Sequence, residues 1–155
     1  MQSVLSRLVA GSLLVILVDQ ASKSFFSSYN SILLVPSLLS LSVTRNEGIA
    51  FSIPLSGWPL LVLTMAVLVG FCFFFFRHLD SRSGVAQAAF VLIVGGGVGN
   101  LIDRVLWGSV TDFIAISAFP VFNLADAAVA IGAGLLLWRY HTIRYIPKNA
   151  NPTIP

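Results

Sequence analysis

Asp112 and Asp126 stand fourteen residues apart in a chain that is otherwise mostly hydrocarbon. Asp112 lies in Ser109-Val110-Thr111-Asp112-Phe113, a short segment between two apolar runs. Asp126 lies just inside the second run, in Phe122-Asn123-Leu124-Ala125-Asp126. A carboxylate at the centre of a membrane helix costs roughly 2.5–3.5 kcal/mol on insertion scales, which makes it a functional candidate. Two carboxylates facing one pocket cannot easily both ionise, because the second charge must form beside the first. One then keeps a proton and can donate it to a carbonyl oxygen, while the other can take a proton from water. That is the logic of aspartic peptidases. The N-terminus of the last apolar run favours the charged state of Asp126, partial burial opposes it, and the proton stays unassigned between the two. Both residues also have a structural reading. Asn123 is a good N-cap, Asp126 then completes a capping box, and Asp112 is a turn residue.

Other chemistries find less support. His78 and His141 fall on the opposite side of the layout from the aspartates, so no Ser-His-Asp arrangement is available. No His/Cys/carboxylate cluster suggests zinc, and nothing in the spacing demands an all-carboxylate metal site. Cys72, the single cysteine, sits inside an apolar run and is read as packing. Gly95-Gly96-Gly97-x-Gly99 ends an apolar span with no βαβ pattern around it and no following lysine, so it is neither a dinucleotide fingerprint nor a P-loop. Gly95-x-x-x-Gly99 instead lets another helix approach closely.

The frame that must hold the pair is a membrane protein. Of 155 residues, 57% are hydrophobic and 10% charged, where a soluble domain has about 25% charged. The mean hydropathy is +0.91. Nine basic residues spread along the chain form no phosphate-binding stripe, which argues against nucleic acid. The length suits one domain, 1–155.

Apolar periodicity and punctuation predict four membrane helices, at about 4–26, 58–76, 84–104 and 123–140. Residues 58–76 carry no charge and span about 28 Å as a helix. The first run is read as a retained helix and not a cleaved signal, because Asp19 and Lys23 stand where a small neutral cleavage motif is wanted. Those two residues are one turn apart on one face. They are either an ion pair that tightens the helix end, in which case exchanging the charges would preserve it, or a support of the site.

Residues 28–56 differ in kind. Leu39, Leu41 and Val43 alternate with Ser40, Ser42 and Thr44, the period of a half-buried strand. Arg45-Asn46-Glu47-Gly48 reads as a turn and Ile49–Ile53 as a short returning strand, giving a small antiparallel sheet on one membrane face. Asn100, Asp103 and Arg104 share one helix face. Residues 146–155 read as a flexible tail. With four spans, one side holds Arg7, Arg77, Arg82, Arg139, Arg144 and Lys148, and the other holds Lys23, Arg45 and Arg104. The positive-inside rule then puts both termini in the cytoplasm and gathers the candidate acids at the outer face.

The motifs Asp19-x-x-x-Lys23, Asn46-x-Gly48-x-Ala50-Phe51, Gly96-Gly97-x-Gly99-Asn100-Leu101-Ile102-Asp103-Arg104, Val110-x-Asp112-Phe113 and Phe122-Asn123-x-Ala125-Asp126 together resemble lipoprotein signal peptidase, the bacterial type II signal peptidase. Each block is short; the five in order are specific. The resemblance implies an aspartic endopeptidase of the bacterial cytoplasmic (inner) membrane. It would cut prolipoproteins just before a cysteine that already carries diacylglycerol. It implies Asp112 and Asp126 as the catalytic pair and no cofactor. Asn46, Gly48, Asn100, Arg104 and Asn123 would bind substrate or order the site, with Asp19 and Lys23 in support. The sheet would cradle the substrate, and globomycin-type peptides would occupy the same groove. Two rival readings of the bare residues are a small membrane transporter and a non-catalytic membrane scaffold. The transporter is weakened because the polar groups collect at one end and not along a midplane path.

Overall fold

The computed structural model of the chain describes residues 2–28, 31–48, 56–117 and 119–144. The elements run α1 (Gln2–Ser27), β1 (Ile32–Val35), β2 (Leu39–Asn46), α2 (Gly57–His78), α3 (Gly84–Trp107), β3 (Val110–Ile116) and α4 (Leu124–Ile143). Among the described residues three helices, α1, α2 and α3, are long and apolar enough to cross a membrane. The sequence predicts four. The fourth, α4, has 20 residues, but Asp126 in its first turn and Arg139 and His141 near its end dilute its apolar stretch. Leu14, Leu17, Val67, Val69, Phe73 and Leu137 are each more than half exposed on the helix surfaces. Apolar faces of this extent suit a lipid surrounding better than water.

The helix α3 is central, packing on α4, α1 and α2. Its glycines set the distances. A methyl group at Gly96 would strike the carbonyl oxygen of Ala125 in α4, and one at Gly99 would stand 2.7 Å from Asp19 Oδ2 in α1. Gly95 meets Val15 of α1 in the same way, so the expected close approach at Gly95 and Gly99 is to α1. Among the described residues the backbone of α2 comes close to α3 and to no other helix. At the far end the bundle closes over Leu8, Phe75, Leu79, Phe90 and Ile143, all buried. There the Asp80 N–H donates to Ile143 O at 2.6 Å, and Leu79 bridges Arg144.

The antiparallel sheet is present, with strands that differ from the predicted ones. Among the described residues it has three, in the order β1-β2-β3. Pro36 and Ser37, the latter at φ 58°, form the turn between β1 and β2, closed by Leu38 N–H to Val35 O at 3.1 Å. Arg45 and Asn46, expected in a turn, belong to β2 and pair with Thr111 and Val110 of β3. The chain bends only afterwards, where the Gly48 N–H donates to Asn46 Oδ1 at 3.1 Å. The returning strand expected at Ile49–Ile53 and the tail 146–155 lie outside the described residues. β2 pairs with β1 on one edge and on the other with β3, which follows α2 and α3 in the chain and carries Asp112.

Candidate active site

Local geometry delivers each aspartate. α3 ends at Gly108, whose φ of 71° is the left-handed conformation that glycine adopts at little cost. The chain reverses there into β3, where Val110 through Phe113 are all buried. The β2–β3 register runs Leu41 to Ile114 and then Thr44 to Asp112, so one residue of β3 faces two of β2. Such a bulge twists a strand locally and re-aims its side chains, here beside Asp112. Phe113 stacks on Phe26 near the end of α1, with ring centroids 4.5 Å apart. On its other edge β3 takes the returning chain: Phe122 pairs with Ile114 through N–H···O bonds of 3.0 and 2.8 Å. That pairing sets Asn123 next to Asp112.

Asn123 is wholly buried and is the N-cap of α4. Its Oδ1 accepts the Asp126 N–H at 2.9 Å, and its own N–H donates to Asp126 Oδ2 at 3.2 Å, completing the capping box. Its amide Nδ2 meanwhile donates to Asp112 Oδ1 at 2.6 Å. The structural and site readings of Asn123 and Asp126 are therefore not alternatives; the same atoms serve both. Asp126 Oδ1 accepts from Asn100 Nδ2 at 2.7 Å, and Asp112 Oδ2 accepts from Asn46 Nδ2 at 3.0 Å. Each carboxylate oxygen of the pair thus has an N–H donor.

A layer of charge lies behind the pair. Lys23 contacts Asp19 at 2.8 Å and Asp103 at 3.3 Å, and donates to Asn100 Oδ1 at 2.9 Å. Asp19 Oδ1 accepts the Ala125 N–H at 3.0 Å, satisfying a first-turn donor of α4 that has no partner within the helix. Asp103 Oδ2 accepts the Thr111 N–H at 2.9 Å, tying α3 to β3. Arg104 Nη2 donates to Gly48 O at 3.3 Å and so holds the turn that carries Asn46.

Every predicted site residue therefore falls at one end of the bundle, in a connected network. Two members were not predicted. Gln20 donates to Asp19, Gly99 O and Asp103 at 2.9–3.2 Å. Thr111 accepts from Arg45 at its hydroxyl and from Asn123 at its carbonyl. Gln20 had a signal, being an amide in an apolar run beside Asp19. Thr111 had none without the strand pairing. His78 is exposed on the last turn of α2, at the far end. Among the described residues no group of three His, Cys, Asp or Glu could hold a metal ion. The cation between Asp19 and Asp103 is the Lys23 ammonium.

Burial above all, and secondarily the Asp126 charge, push the Asp112 carboxyl from 3.8 to about 6, against the opposing pull of the Asn46 and Asn123 hydrogen bonds. Both aspartates line a cavity of about 720 Å³ that opens where α2 stands away from α4. Its polar end holds Asn46, Asn100, Arg104, Asp112 and Asp126. Its walls are apolar, with Leu60, Val67 and Leu68 on α2, Ile93 on α3, and Val129 and Ala133 on α4. Phe119 to Phe122 form a further wall beside the carboxylates. An extended apolar chain fits such a groove with a polar segment at the carboxylates.

Comparison with known proteins points to one family. A family model described as signal peptidase (SPase) II matches residues 12–142. The lipoprotein signal peptidase of Chlorobium luteolum is 37% identical over 150 residues, covering 85% of this chain and 89% of its own length. That of Pseudomonas aeruginosa is 37% identical over 138 residues, covering 81% and 82%. Two solved structures, each described as a bacterial membrane enzyme determined by the in meso method, are also similar. At 2.3 and 1.9 Å resolution, they superpose with TM-scores of 0.75 and 0.74. Both are 31% identical, covering 86% and 87% of this chain and 87% and 92% of theirs.

Proposed function

The chain belongs to the signal peptidase II family, and on that footing we propose that Asp112 and Asp126 are its catalytic pair. The protein is an aspartic endopeptidase that removes the signal peptide from prolipoproteins, which sets the transporter and scaffold readings aside. One observation carries the proposal: a single buried residue, Asn123, hydrogen-bonds both carboxylates at the polar end of an apolar groove.

The two aspartates share one proton. The charged carboxylate takes a proton from a water molecule, whose oxygen adds to the scissile carbonyl carbon. The protonated partner gives its proton to the carbonyl oxygen. Collapse of the tetrahedral intermediate breaks the C–N bond, the leaving amine takes up the proton first removed from water, and one hydroxyl of the intermediate returns its proton to the carboxylate that had donated it. The Asp112 carboxyl at about 6 supports sharing, since a proton there is neither fully held nor fully lost near neutrality. Asn46, Asn100 and Asn123 donate to the ionised forms and hold both groups in place. Arg104 and Gly48 order the turn that carries Asn46.

The layout accommodates the substrate that membership of the family implies. The diacylglyceryl-modified cysteine anchors the cleavage site at headgroup depth, and the signal segment runs down the apolar groove. Globomycin-type peptides and membrane lipid are partners of the same groove. The whole chain is one integral-membrane domain in the cytoplasmic membrane, with α4 as a fourth span, both termini cytoplasmic and the site at the outer face. Arg77, Arg82, Arg139 and Arg144 are exposed at the end opposite the aspartates, which supports that orientation. The test is cleavage of a diacylglyceryl-modified prolipoprotein peptide against its unmodified twin. The modified peptide should be cut and the twin left intact; equal cutting of both would remove the lipid from the recognition.

A further inference from the structure

Lys23 is 4% exposed and touches neither Asp112 nor Asp126 in any hydrogen bond or ion pair. Its burial needs a reason. Two ion pairs would pin α1 to α3, but a buried ion pair is often no more stable than apolar side chains of the same volume. The third contact of the ammonium is the informative one, to Asn100 Oδ1 at 2.9 Å. An ammonium offers donors and no acceptor, whereas a side-chain amide has a donor side and an acceptor side. Lys23 therefore decides which way the Asn100 amide faces.

The consequence passes along two amides. Asn100 Oδ1 receives Lys23 and also Asn123 Nδ2 at 3.1 Å, which leaves Asn100 Nδ2 to donate to Asp126 at 2.7 Å. Asn123, with its Nδ2 turned to Asn100 Oδ1, presents the same group to Asp112 and its Oδ1 to the Asp126 N–H. We propose that Lys23 is a positioning residue: by holding Oδ1 of Asn100, it fixes both amides so that each aspartate faces a donor and neither faces a carbonyl lone pair. This rests on the assignment of Asp112 and Asp126 as the catalytic pair. Without the ammonium, Asn123 Nδ2 alone still holds Asn100 Oδ1, and the amide is freer to turn its oxygen against Asp126. Asp126 then loses a donor and meets a lone pair, and the pair is no longer held in the arrangement that shares one proton.

The test is a double-mutant cycle on the full chain in lipid vesicles, with a diacylglyceryl-modified prolipoprotein peptide as substrate. Asn100→Ala should lower kcat by about tenfold to a hundredfold, the range for losing a hydrogen bond to a charged group. Lys23→Met should do the same, with KM for both variants within about threefold of wild type, because a transition-state interaction is lost and not ground-state binding. The double variant should be no slower than the worse single one. Lys23→Met leaves Asp19 and Asp103 without a cation, so Asp19→Asn/Lys23→Met is the charge-balanced form, and it should fold and show the same kcat loss. Losses that multiply in the double variant overturn the proposal. So does Asn100→Ala with kcat within about threefold of wild type, or the failure of both lysine variants to fold. If the wild-type chain cuts nothing, or Asp112→Asn still cuts, it is the assignment of the pair that falls.

Discussion

Asn123 holds Asp112 through an amide N–H at 2.6 Å, and it does so from the N-cap of α4. The residue that starts the last helix is therefore the residue that aims a carboxylate on β3. Helix formation and site assembly become one event, since Asp126 sits in the same capping box.

Asn123→Ala is expected to lower both stability and rate. Losing the cap costs about 1 kcal/mol, and Asp112 loses the amide donor at its Oδ1. Asn123→Ser separates the two effects, because a serine hydroxyl caps a helix but cannot also reach Asp112. Thermal unfolding in detergent should recover with serine while the cleavage rate stays low. Recovery of both would mean that the Asn123–Asp112 bond is dispensable.

The Asp112 carboxyl gives a pH signature. Its pKa rises from 3.8 to about 6 on folding, chiefly by burial. The folded protein holds this proton more tightly than the unfolded chain does. Its contribution to stability is therefore full below about pH 4 and is lost as pH rises toward about 6. Above that window the buried charge is a standing cost that Asp112→Asn removes. Relative to wild type, the variant should melt higher at pH 8 than it does at pH 4. A variant that melts lower than wild type at pH 8 would show that the ionised group is stabilised in place.

Exchanging the charges of Asp19 and Lys23 should not restore the fold, contrary to what the sequence alone suggests. Asp19 Oδ1 accepts the Ala125 N–H, and Lys23 also pairs with Asp103. A lysine at position 19 would meet a donor, and an aspartate at position 23 would meet a second carboxylate. The fraction of monodisperse protein on size exclusion should be as low for the double exchange as for either single reversal. A well-folded double exchange would reduce the cluster to one isolated pair.

Gly96→Ala should destabilise the bundle by about 1–3 kcal/mol, as overpacking does, because the added methyl meets the Ala125 carbonyl. Gly134→Ala on α4, with nothing within 4 Å, should be neutral or stabilise by up to about 1 kcal/mol. Thermal midpoints of the two variants in one detergent compare them directly. Equal midpoints would mean that α3 and α4 are not held at backbone contact.

The residues of the site were legible in the sequence and much of their connection was not. A charge or an amide in an apolar run is conspicuous, which is why Asp19, Lys23, Asn100 and Asp126 stand out. Capping chemistry is local, so Asn123 and Asp126 could be paired from spacing alone. Strand pairing is not local. Val110–Ile116 is seven residues with no strict alternation, because its first four are all buried. Its partner β2 lies more than sixty residues away in sequence. From the sequence alone Asp112 therefore reads as a turn residue, and the pairing of β2 with β3 has no local signal. α4 is the mirror case. Its apolar stretch was visible, while the polar residues that bring its ends into the site and the far-end cap shorten it as a span.

The most direct measurement of the catalytic assignment is cleavage of a diacylglyceryl-modified prolipoprotein peptide by Asp112→Asn, Asp126→Asn and the double variant. Asparagine keeps the size of aspartate and can still cap a helix, so membrane insertion and expression should stay near normal. It cannot carry a proton between water and a leaving amine. Each single variant should lose ~10³-fold or more in rate, and the double should be little worse, as members of one catalytic unit behave. An Asp112→Asn protein that kept most of its activity would contradict the account and would turn attention to Asp103 as the second carboxylate.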